Sequence, residues 1–206
     1  MNDEKKIANE ATVIFPSKTQ KQQKKEAKKI VHDIFEIIEL IAVTLGIVLI
    51  ISAFFFKHSV VTGDSMMKTL KNGEHLIISN FLYEPQFGDI VIFQLTEEQS
   101  SDFKNVDGKE PLIKRVIATE GQKVKIVDGV VYVNGNELLE SYIYRDGIDL
   151  VSDMEEIVVS EGHVFVLGDH RNNSLDSRYF GEIDNRLIIG RVVFRMFPIQ
   201  KAGSVK

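Results

Sequence analysis

The stretch that decides the class of this chain is residues 40–56, LIAVTLGIVLIISAFFF, in which 17 consecutive residues carry no charge. Phe35, Ile37 and Ile38 extend this apolar run at its front, around two glutamates. A helix that crosses ~30 Å of hydrocarbon needs roughly 20 apolar residues and tolerates acids at its interfacial end. The run therefore predicts a transmembrane helix over residues 35–56.

Two other interpretations of the run fit less well. A buried core helix of this length usually keeps a polar face, whereas residues 40–56 offer only Thr44 and Ser52. A cleaved signal peptide ends in small residues, but this run is longer than a usual signal core and ends in three phenylalanines, Lys57 and His58. We therefore expect the helix to stay attached as an anchor.

The segment before the span is rich in lysine. Residues 18–29 contain six lysines and one acid, and they include no large apolar residue. Positive residues beside a span are retained in the cytoplasm. We therefore expect a cytoplasmic tail over residues 1–34 and an extracytoplasmic domain over residues 57–206, in a single-pass protein of the cell membrane.

The composition of the 206 residues excludes several classes of site. The formal net charge is −5, and residues 57–206 alone hold 17 basic and 23 acidic residues. Such an acidic balance argues against a nucleic-acid partner. The absence of cysteine excludes a disulfide scaffold, a thiol nucleophile and cysteine-ligated metals. We expect no metal and no cofactor, and the sequence does not indicate an oligomeric state.

Residues 57–206 are predicted to form a mainly β domain. Short β-branched or aromatic runs alternate with turn residues, and Asp128-Gly129 and Asn134-Gly135 are signals for tight type I′ hairpins. The polar residues 96–110 and the acidic residues 141–156 are predicted to be surface loops. The predicted strands are residues 59–62, 75–79, 89–95, 112–118, 123–127, 130–133, 137–139, 163–167 and 187–197.

Two residues carry the strongest chemical signal. Ser65 lies in a tight polar turn nine residues after the apolar run, and a nucleophilic serine requires a base. Lys114 lies in the middle of a predicted strand and shares its apolar face with Leu112 and Val116. Loss of hydration favours the neutral amine and can lower the pKa of lysine from ~10.4 to ~7 or 8. The alternative is an ordinary strand lysine that reaches solvent.

A third polar cluster follows the predicted strand 163–167. Residues 168–181 read GDHRNNSLDSRYFG, a dense polar loop at the end of a buried strand, where functional sites tend to be built. A hydrogen-bonded turn with an Asp176–Arg178 ion pair is the structural interpretation. Both interpretations are compatible, because a site needs a rigid frame.

These clusters together resemble the type I signal peptidases of peptidase family S26, in a short form like that of Gram-positive bacteria. Residues 65–70 resemble the family's nucleophile box, residues 88–93 its second strand motif, residues 114–117 its lysine box, and residues 168–178 its structural box. The resemblance covers the span and the whole of residues 57–206. It implies a membrane-anchored serine endopeptidase with a signal-peptidase-like β fold.

The resemblance also implies roles for individual residues. Ser65 would be the nucleophile and Lys114 the general base, with Ser174 orienting the lysine amine and Asp176 and Arg178 forming a supporting ion pair. The substrates would be signal peptides of exported preproteins, bound as an added strand and cut after small residues at positions −1 and −3. The predicted pocket residues are Val61, Thr62, Met66, Leu70, Leu112 and Ile113.

The chain departs from the family pattern at four points. Lys68 stands where proline is usual, His170 stands where asparagine is common, and Gly63 stands where one branch supplies an oxyanion-binding serine. The interval from Lys114 to Gly168 is short, so the large second domain of some relatives should be absent. The Ser65 backbone N–H is then the evident oxyanion donor.

Three alternatives to this function are weighed. A catalytically silent relative that assembles surface fibres would lack the serine or the lysine, and both are present. A hydrolase that uses His170 with Asp169 as the base for Ser65 needs these two side chains to meet. They are adjacent at a strand end, so they point apart, which is poor geometry for a base and its orienting group. Self-cleaving repressor proteases share the Ser–Lys pair but lack a membrane span. Lipid is a further expected partner, through the anchor and through Phe81, Leu82, Tyr83 or the Phe87 turn, for which a core role is the alternative.

Overall fold

A computed structural model describes residues 20–101, 103, 110–147 and 153–205. The chain divides into two compact units, one ending at Ile51 and the other beginning at Ser52. The first unit is helical, and the second consists mainly of antiparallel strands. The prediction of a mainly β chain with an N-terminal apolar helix is therefore confirmed.

The helix α1 spans Gln20–Phe55 and begins well before the predicted span 35–56. Lysine, glutamine and alanine before position 35 favour helix, which accounts for the extension. The large apolar side chains of the run are exposed, including Leu40 at 69% and Phe54 at 76%. By length and composition the helix is able to cross a membrane.

The described residues form eleven strands and several short helices. The strands are β1 Phe56–Val60, β2 His75–Ser79, β3 Ile90–Phe93, β4 Leu112–Thr119, β5 Lys123–Val127, β6 Val130–Val133, β7 Asn136–Glu137, β8 Met154–Val158, β9 His163–Leu167, β10 Ile183–Asp184 and β11 Ile188–Phe197. The short helices are α2 Glu97–Ser101, α3 Ser177–Phe180 and the 3₁₀ turns Arg171–Asn173, Asn185–Leu187 and Ile199–Lys201.

The strands build two antiparallel sheets. The larger sheet has the order β1-β2-β11-β3-β4-β9-β10, and the smaller has the order β7-β6-β5-β8. The hairpin turns of the smaller sheet have positive φ at Asp128, Gly129, Asn134 and Gly135, as the type I′ prediction requires. Strand β1 lies at the edge of the larger sheet, so its outer side is free to pair with another strand.

Most strands match the predicted positions, and the misses have physical causes. Strand β8 begins inside the predicted loop 141–156, where Glu155 and Glu156 suggest a solvated loop, and it runs two residues beyond it. These acids are exposed at the sheet edge formed by β8, which is a usual place for charged residues on a strand. The two-residue strand β10 is too short to give a period-two pattern. Residues 102, 104–109 and 148–152 of the predicted loops lie outside the described part.

Strand β4 is buried along most of its length in the larger sheet. It pairs with β3 on one side and β9 on the other, and residues 113–118 are all buried. Val91, Val116 and Val166 have no exposed surface and form one core cluster. Burial of each such side chain contributes about 1.5–3 kcal/mol. A functional group on β4 is therefore held by a rigid element.

Candidate active site

The turn that carries Ser65 follows β1 and is closed by backbone hydrogen bonds. The Val61 N–H donates to the Glu74 carbonyl at 2.9 Å, and the Gly73 N–H donates to the Val61 carbonyl at 2.9 Å. Within the turn, the Met67 N–H donates to the Asp64 carbonyl at 3.1 Å. Residues 61–74 thus form a closed loop, which we call the nucleophile turn.

Lys114 extends from β4 to the nucleophile turn. Its Nζ donates to Ser65 Oγ at 2.8 Å and to the Ile113 carbonyl at 3.0 Å. The residue is only 3% exposed, and its neighbour in the register of β3 is Val91. The predicted apolar face of β4, which Lys114 shares with Leu112 and Val116, thus carries a buried amine. This amine donates a hydrogen bond to the serine hydroxyl.

Burial lowers the pKa of Lys114 from its ordinary value of 10.5 to about 8. Desolvation of the ammonium is the largest cause. The negative charges of Asp176 and Asp169 raise the pKa, and the positive charge of Arg178 lowers it, with smaller effects than burial. No described carboxylate forms an ion pair with Lys114. A neutral amine is therefore accessible near physiological pH, and that is the form able to accept a proton.

The nucleophile turn also offers a donor for a developing oxyanion. Among the described residues, the Ser65 N–H has no hydrogen-bond acceptor. Gly63 has a φ of 84°, and its N–H donates to Asn72 Oδ1 at 3.1 Å. A side chain at position 63 would be strained in this left-handed conformation. The Ser65 N–H is thus a donor in the turn without an acceptor among the described residues.

Arg115, the neighbour of Lys114 on β4, forms a buried ion pair that the sequence did not reveal. Its Nε donates to Asp169 Oδ1 at 2.8 Å and its Nη2 to Asp169 Oδ2 at 2.7 Å. Arg115 Nη1 donates to the Gly88 carbonyl at 2.9 Å, and its guanidinium lies 4.0 Å from the centre of the Tyr142 ring. Thr69 Oγ1 also donates to Asp169. This pair ties β4 to the loop after β9 and to the nucleophile turn.

The predicted Asp176–Arg178 ion pair is present. Arg178 Nε donates to Asp176 Oδ1 at 2.7 Å and its Nη2 to Asp176 Oδ2 at 2.8 Å. The Gly168 N–H donates to the same carboxylate at 3.0 Å. Hydrogen bonding to Asp176 helps to raise the pKa of Arg178, against the effect of desolvation. The pair therefore fixes the two ends of the loop 168–178 against each other.

The role expected for Ser174 is not met in this structure. Ser174 Oγ is buried without a hydrogen-bond partner among the described residues, whereas the Ile113 carbonyl accepts from Lys114. Ser174 instead packs against Gly168, where a Cβ atom would collide with Ser174 Oγ and lie 2.6 Å from the Ser65 carbonyl oxygen. Gly168 is thus required by the close approach of these two residues.

A cavity of about 240 Å³ adjoins Ser65 and Lys114. Five of the six predicted pocket residues line it, namely Val61, Thr62, Met66, Leu112 and Ile113. The prediction for Leu70 is wrong, because this side chain is completely buried in the core beneath the turn. Ser59, Val60, Glu110 and Pro111 complete the wall and were missed. They flank predicted pocket residues in the sequence, and that adjacency is the only sequence signal for them.

His170 and Asp169 do not form a base for Ser65. Asp169 pairs with Arg115, and the ring of His170 contacts the Asp64 carbonyl and Asp146. The alternative that used these two residues as the base is therefore contradicted. Lys68, the other departure in the turn, donates from Nζ to the Ser141 carbonyl at 3.1 Å.

Residues 140–147 cover the loop after β9, and residues 141–147 were predicted only as part of a surface loop. Arg171 forms an ion pair with Glu140, and both side chains are buried. Burial raises the pKa of Tyr142, and the negative charge of Glu140 and the hydrogen bond to it raise this pKa further. The Tyr144 N–H donates to the Asp169 carbonyl at 2.9 Å. We call residues 140–147 the strap, because they tie down the loop that supports the active site.

No group of three or more histidine, aspartate or glutamate side chains in the described part of the chain is arranged to hold a metal ion. The site consists of a serine hydroxyl, a buried amine and a free backbone N–H, held by ion pairs. An antiparallel β domain with this arrangement defines the class of serine peptidases that use lysine beside the nucleophile.

Comparison with known proteins identifies the family within this class. The family described as signal peptidase, peptidase S26, matches residues 34–197. "Probable signal peptidase I-1" of Synechocystis sp. is 36% identical over 173 residues, which cover 82% of this chain and 86% of that protein. "Signal peptidase I" of Bacillus licheniformis is 33% identical over 191 residues, covering 87% and 96%. The chain belongs to the signal peptidase family, peptidase S26.

A solved structure of a signal peptidase I from Enterococcus faecalis V583 is also similar. It is 30% identical, with a TM-score of 0.42, and the match covers 53% of this chain and 97% of that one.

Proposed function

We propose that this chain is a membrane-anchored signal peptidase that cleaves signal peptides from exported preproteins, with Ser65 as nucleophile and Lys114 as general base. The observation that carries the proposal is the 2.8 Å contact between Lys114 Nζ and Ser65 Oγ, made by an amine with a pKa lowered to about 8. Family membership supports the same activity, because the relatives are named signal peptidases.

The first half of the reaction forms an acyl-enzyme. Neutral Lys114 accepts the hydroxyl proton of Ser65 while Oγ attacks the scissile carbonyl carbon. The negative charge that develops on the carbonyl oxygen is stabilised by the Ser65 N–H. The ammonium of Lys114 then donates its proton to the leaving amine, and the peptide bond breaks. The mature protein departs, and the signal peptide stays bound to Ser65 as an ester.

The second half of the reaction releases the signal peptide. Lys114, neutral again, accepts a proton from a water molecule that attacks the ester carbonyl. The tetrahedral intermediate collapses when the lysine returns this proton to Ser65 Oγ. One water molecule is consumed, and the enzyme is regenerated.

The cavity beside the dyad supports selection of small residues at positions −1 and −3. A peptide that pairs with an edge strand is extended, so alternate side chains point to the same side. Strand β1 is such an edge, and Ser59 and Val60 at its end line the cavity together with Leu112. A cavity of about 240 Å³ has room for small side chains at these positions.

The anchor and its orientation belong to the same proposal. We infer that α1 crosses the membrane from residue 35 to its end at Phe55, one residue short of the predicted span, with residues 1–34 in the cytoplasm and residues 57–206 outside. The lysines before the span support this direction. Ser65 is the ninth residue after Phe56, so the serine lies within ~30 Å of the bilayer, where a signal peptide is presented. Phe81, Leu82 and Phe87 are exposed and suit contact with the lipid surface.

Cleavage of a defined preprotein tests the proposed function. Full-length wild-type protein, Ser65→Ala and Lys114→Met are reconstituted in vesicles, and the new N-terminus of the product is identified by mass spectrometry. Lys123→Met is the matched control, because Lys123 is an exposed strand lysine of the smaller sheet. We expect cleavage by wild type and by the control only. Cleavage by Ser65→Ala or Lys114→Met would overturn the roles of these residues.

The absence of cysteine makes the orientation directly testable. Single substitutions Gln23→Cys and Ser101→Cys in intact cells are treated with a thiol reagent that cannot cross membranes. We expect labelling of position 101 alone. Labelling of position 23 alone would reverse the orientation.

A further inference from the structure

The ring of His170 lies between two oxygen atoms from separate segments. Its Nδ1 is 3.3 Å from the Asp64 carbonyl oxygen in the nucleophile turn, and its Nε2 is 2.7 Å from Asp146 Oδ2 in the strap. The His170 residue is only 6% exposed. Its backbone N–H donates to the Ser65 carbonyl at 3.0 Å. His170 therefore contacts the nucleophile turn twice, at the carbonyl oxygens of the peptide groups before and after Ser65.

Both oxygen atoms that face the ring are acceptors. A carbonyl oxygen only accepts, and an ionised carboxylate only accepts. Hydrogen bonds from Asn172 and then His170 lower the pKa of Asp146, so its carboxylate is ionised at neutral pH. A neutral imidazole has one N–H, whereas the imidazolium has two. The doubly protonated ring is thus the form that satisfies both contacts.

Two other side chains lie close to the ring among the described residues, those of Tyr144 and Arg171. From the strap, Tyr144 presents its ring edge-on, with ring centres 4.9 Å apart. From the same loop as His170, Arg171 is engaged by Glu140 and by the Gly168 carbonyl. The nucleophile turn presents the Asp64 carbonyl, which also accepts from the Met67 N–H.

We propose that His170 is a positioning residue for Ser65, in which the Nδ1–H holds the Asp64 carbonyl and the Nε2–H is anchored on Asp146. This inference rests on the proposed function of Ser65 and deepens it, because it makes the placement of the nucleophile depend on the protonation of a second residue. His170 itself touches neither the Ser65 hydroxyl nor the cavity.

Deprotonation of the ring removes the hydrogen bond to the Asp64 carbonyl and keeps the one to Asp146. A ring with a single N–H keeps it on the carboxylate, since a hydrogen bond to a charged acceptor is stronger than one to a carbonyl. The Asp64 carbonyl then loses its side-chain donor, and the nucleophile turn is held less well. Misplacement of a nucleophile lowers kcat while leaving the KM for the substrate little changed.

Two substitutions of His170 by residues with neutral amide side chains test the two ring nitrogens separately. In His170→Asn, the side-chain amide nitrogen replaces Nδ1 and keeps the donor to Asp64. In His170→Gln, the longer side chain places its amide nitrogen near Nε2 and keeps the donor to Asp146. The Gln variant thus imitates the deprotonated wild-type ring, and the Asn variant imitates the part of the imidazolium that positions Ser65. Neither variant titrates.

The experiment measures kcat for preprotein cleavage by the three full-length proteins between about pH 6 and pH 10. The titration of Lys114 is common to all three and cancels in the ratio of two kcat values at the same pH. We expect wild type to exceed His170→Gln by roughly 10-fold at the acidic end and to converge with it at the alkaline end. The ratio of His170→Asn to wild type should rise from about 1 to roughly 10 over the same range.

Three outcomes would overturn the inference. These are ratios that do not change with pH, a Gln variant with wild-type kcat throughout, and an Asn variant that loses as much kcat as Gln. A purely structural role would lower the unfolding temperature of both variants and leave the ratios flat, so unfolding temperatures are measured on the same samples. Failure of the proposed function is separate, because in that case wild type itself would not cleave, or Ser65→Ala would.

Discussion

The two faces of strand β4 carry neighbouring basic residues that have different hydrogen-bond partners. Lys114 and Arg115 are both buried, at 3% and 2% exposure, and they point to opposite sides of the strand. Lys114 meets a neutral hydroxyl and a carbonyl and forms no ion pair with a described carboxylate. Arg115 meets Asp169 through two parallel hydrogen bonds. The first side chain is suited to proton transfer, and the second is suited to support.

The difference shows that burial alone does not decide what a basic residue does. A buried amine without a counter-ion shifts towards its neutral form, so it gains the ability to accept a proton. A buried guanidinium stays charged and requires a carboxylate, so it becomes a fixed link between segments. Because both residues lie on one strand, the Lys114 amine and the Arg115–Asp169 ion pair keep fixed positions relative to each other. The predictions below alter one face at a time.

Exchange of the two basic side chains should give the largest effect. Lys114→Arg keeps the charge, but a guanidinium does not give up its proton, so we expect cleavage to fall at least about 10³-fold. Arg115→Lys keeps a charge beside Asp169 and loses only the bidentate geometry, so kcat should stay within about 10-fold. Initial rates of preprotein cleavage measure both. Equal losses in the two variants would show that the faces are not functionally distinct.

Removal of Arg115, the supporting residue, should have the largest effect on the stability of the fold. Arg115→Met leaves the Asp169 carboxylate buried without its ion-pair partner, at a cost of about 3–5 kcal/mol. We expect the unfolding temperature to fall by about 10 °C in a thermal scan. The double variant Arg115→Met with Asp169→Leu removes both charges and should recover much of this loss. A double variant as unstable as the single one would mean that packing of the arginine, rather than its charge, holds the segments together.

Removal of the base should instead stabilise the fold at neutral pH. The folded-state pKa of Lys114 is about 8, below its ordinary value of 10.5. Between these values the unfolded chain binds the proton and the folded chain does not, so stability rises with pH, and below about pH 8 the folded protein holds a buried charge. Lys114→Met should raise the free energy of unfolding by up to about 3 kcal/mol at pH 7 and by little near pH 10.5.

Thermal scans of Lys114→Met and wild type at both pH values measure this difference. A variant less stable than wild type at pH 7 would indicate that the lysine is held as a stabilising cation, like Arg115.

Gly168 connects the two faces and should give the smallest effect of the set. It precedes Asp169, the partner of Arg115, and it lies against the carbonyl of Ser65, the partner of Lys114. Gly168→Ala puts a methyl group 2.6 Å from that carbonyl oxygen and should displace the nucleophile, lowering kcat by roughly 10- to 100-fold. Gly203→Ala, where a Cβ meets open space, is the control. A wild-type kcat in Gly168→Ala would mean that the loop accommodates the added methyl group without displacing Ser65.

The same comparison explains how much of the site could be predicted from sequence. Lys114 could be found because period-two alternation puts it on an apolar face, and four sequence motifs in the family's order carry the family resemblance. The partner of Arg115 could not be found, because Asp169 lies 54 positions away and only the pairing of β4 with β9 brings them together. Ionic partners fixed by strand register leave no local pattern in the sequence.

Other differences have a similar origin. Leu70 was predicted to line the pocket because it is near Ser65 in sequence, but the turn directs it into the core. Ser174 was assigned to the lysine amine, whereas its hydroxyl packs against Gly168. Residues 141–147 of the strap were predicted only as surface loop, since Glu140 and Asp146 find their partners 31 and 24 residues later, on Arg171 and His170. Contacts between loops depend on tertiary geometry that polar composition does not encode.

The most direct test of the central claim is an NMR titration of the Lys114 side-chain amine in the full chain in detergent micelles. The resonance is assigned by its absence from Lys114→Met, and Ser65→Ala shows whether the hydroxyl contributes to the titration. We predict a midpoint near pH 8, set by burial without a counter-ion. A midpoint near 10.5 would contradict the account, because Lys114 would then be a fully charged residue at physiological pH and not a base.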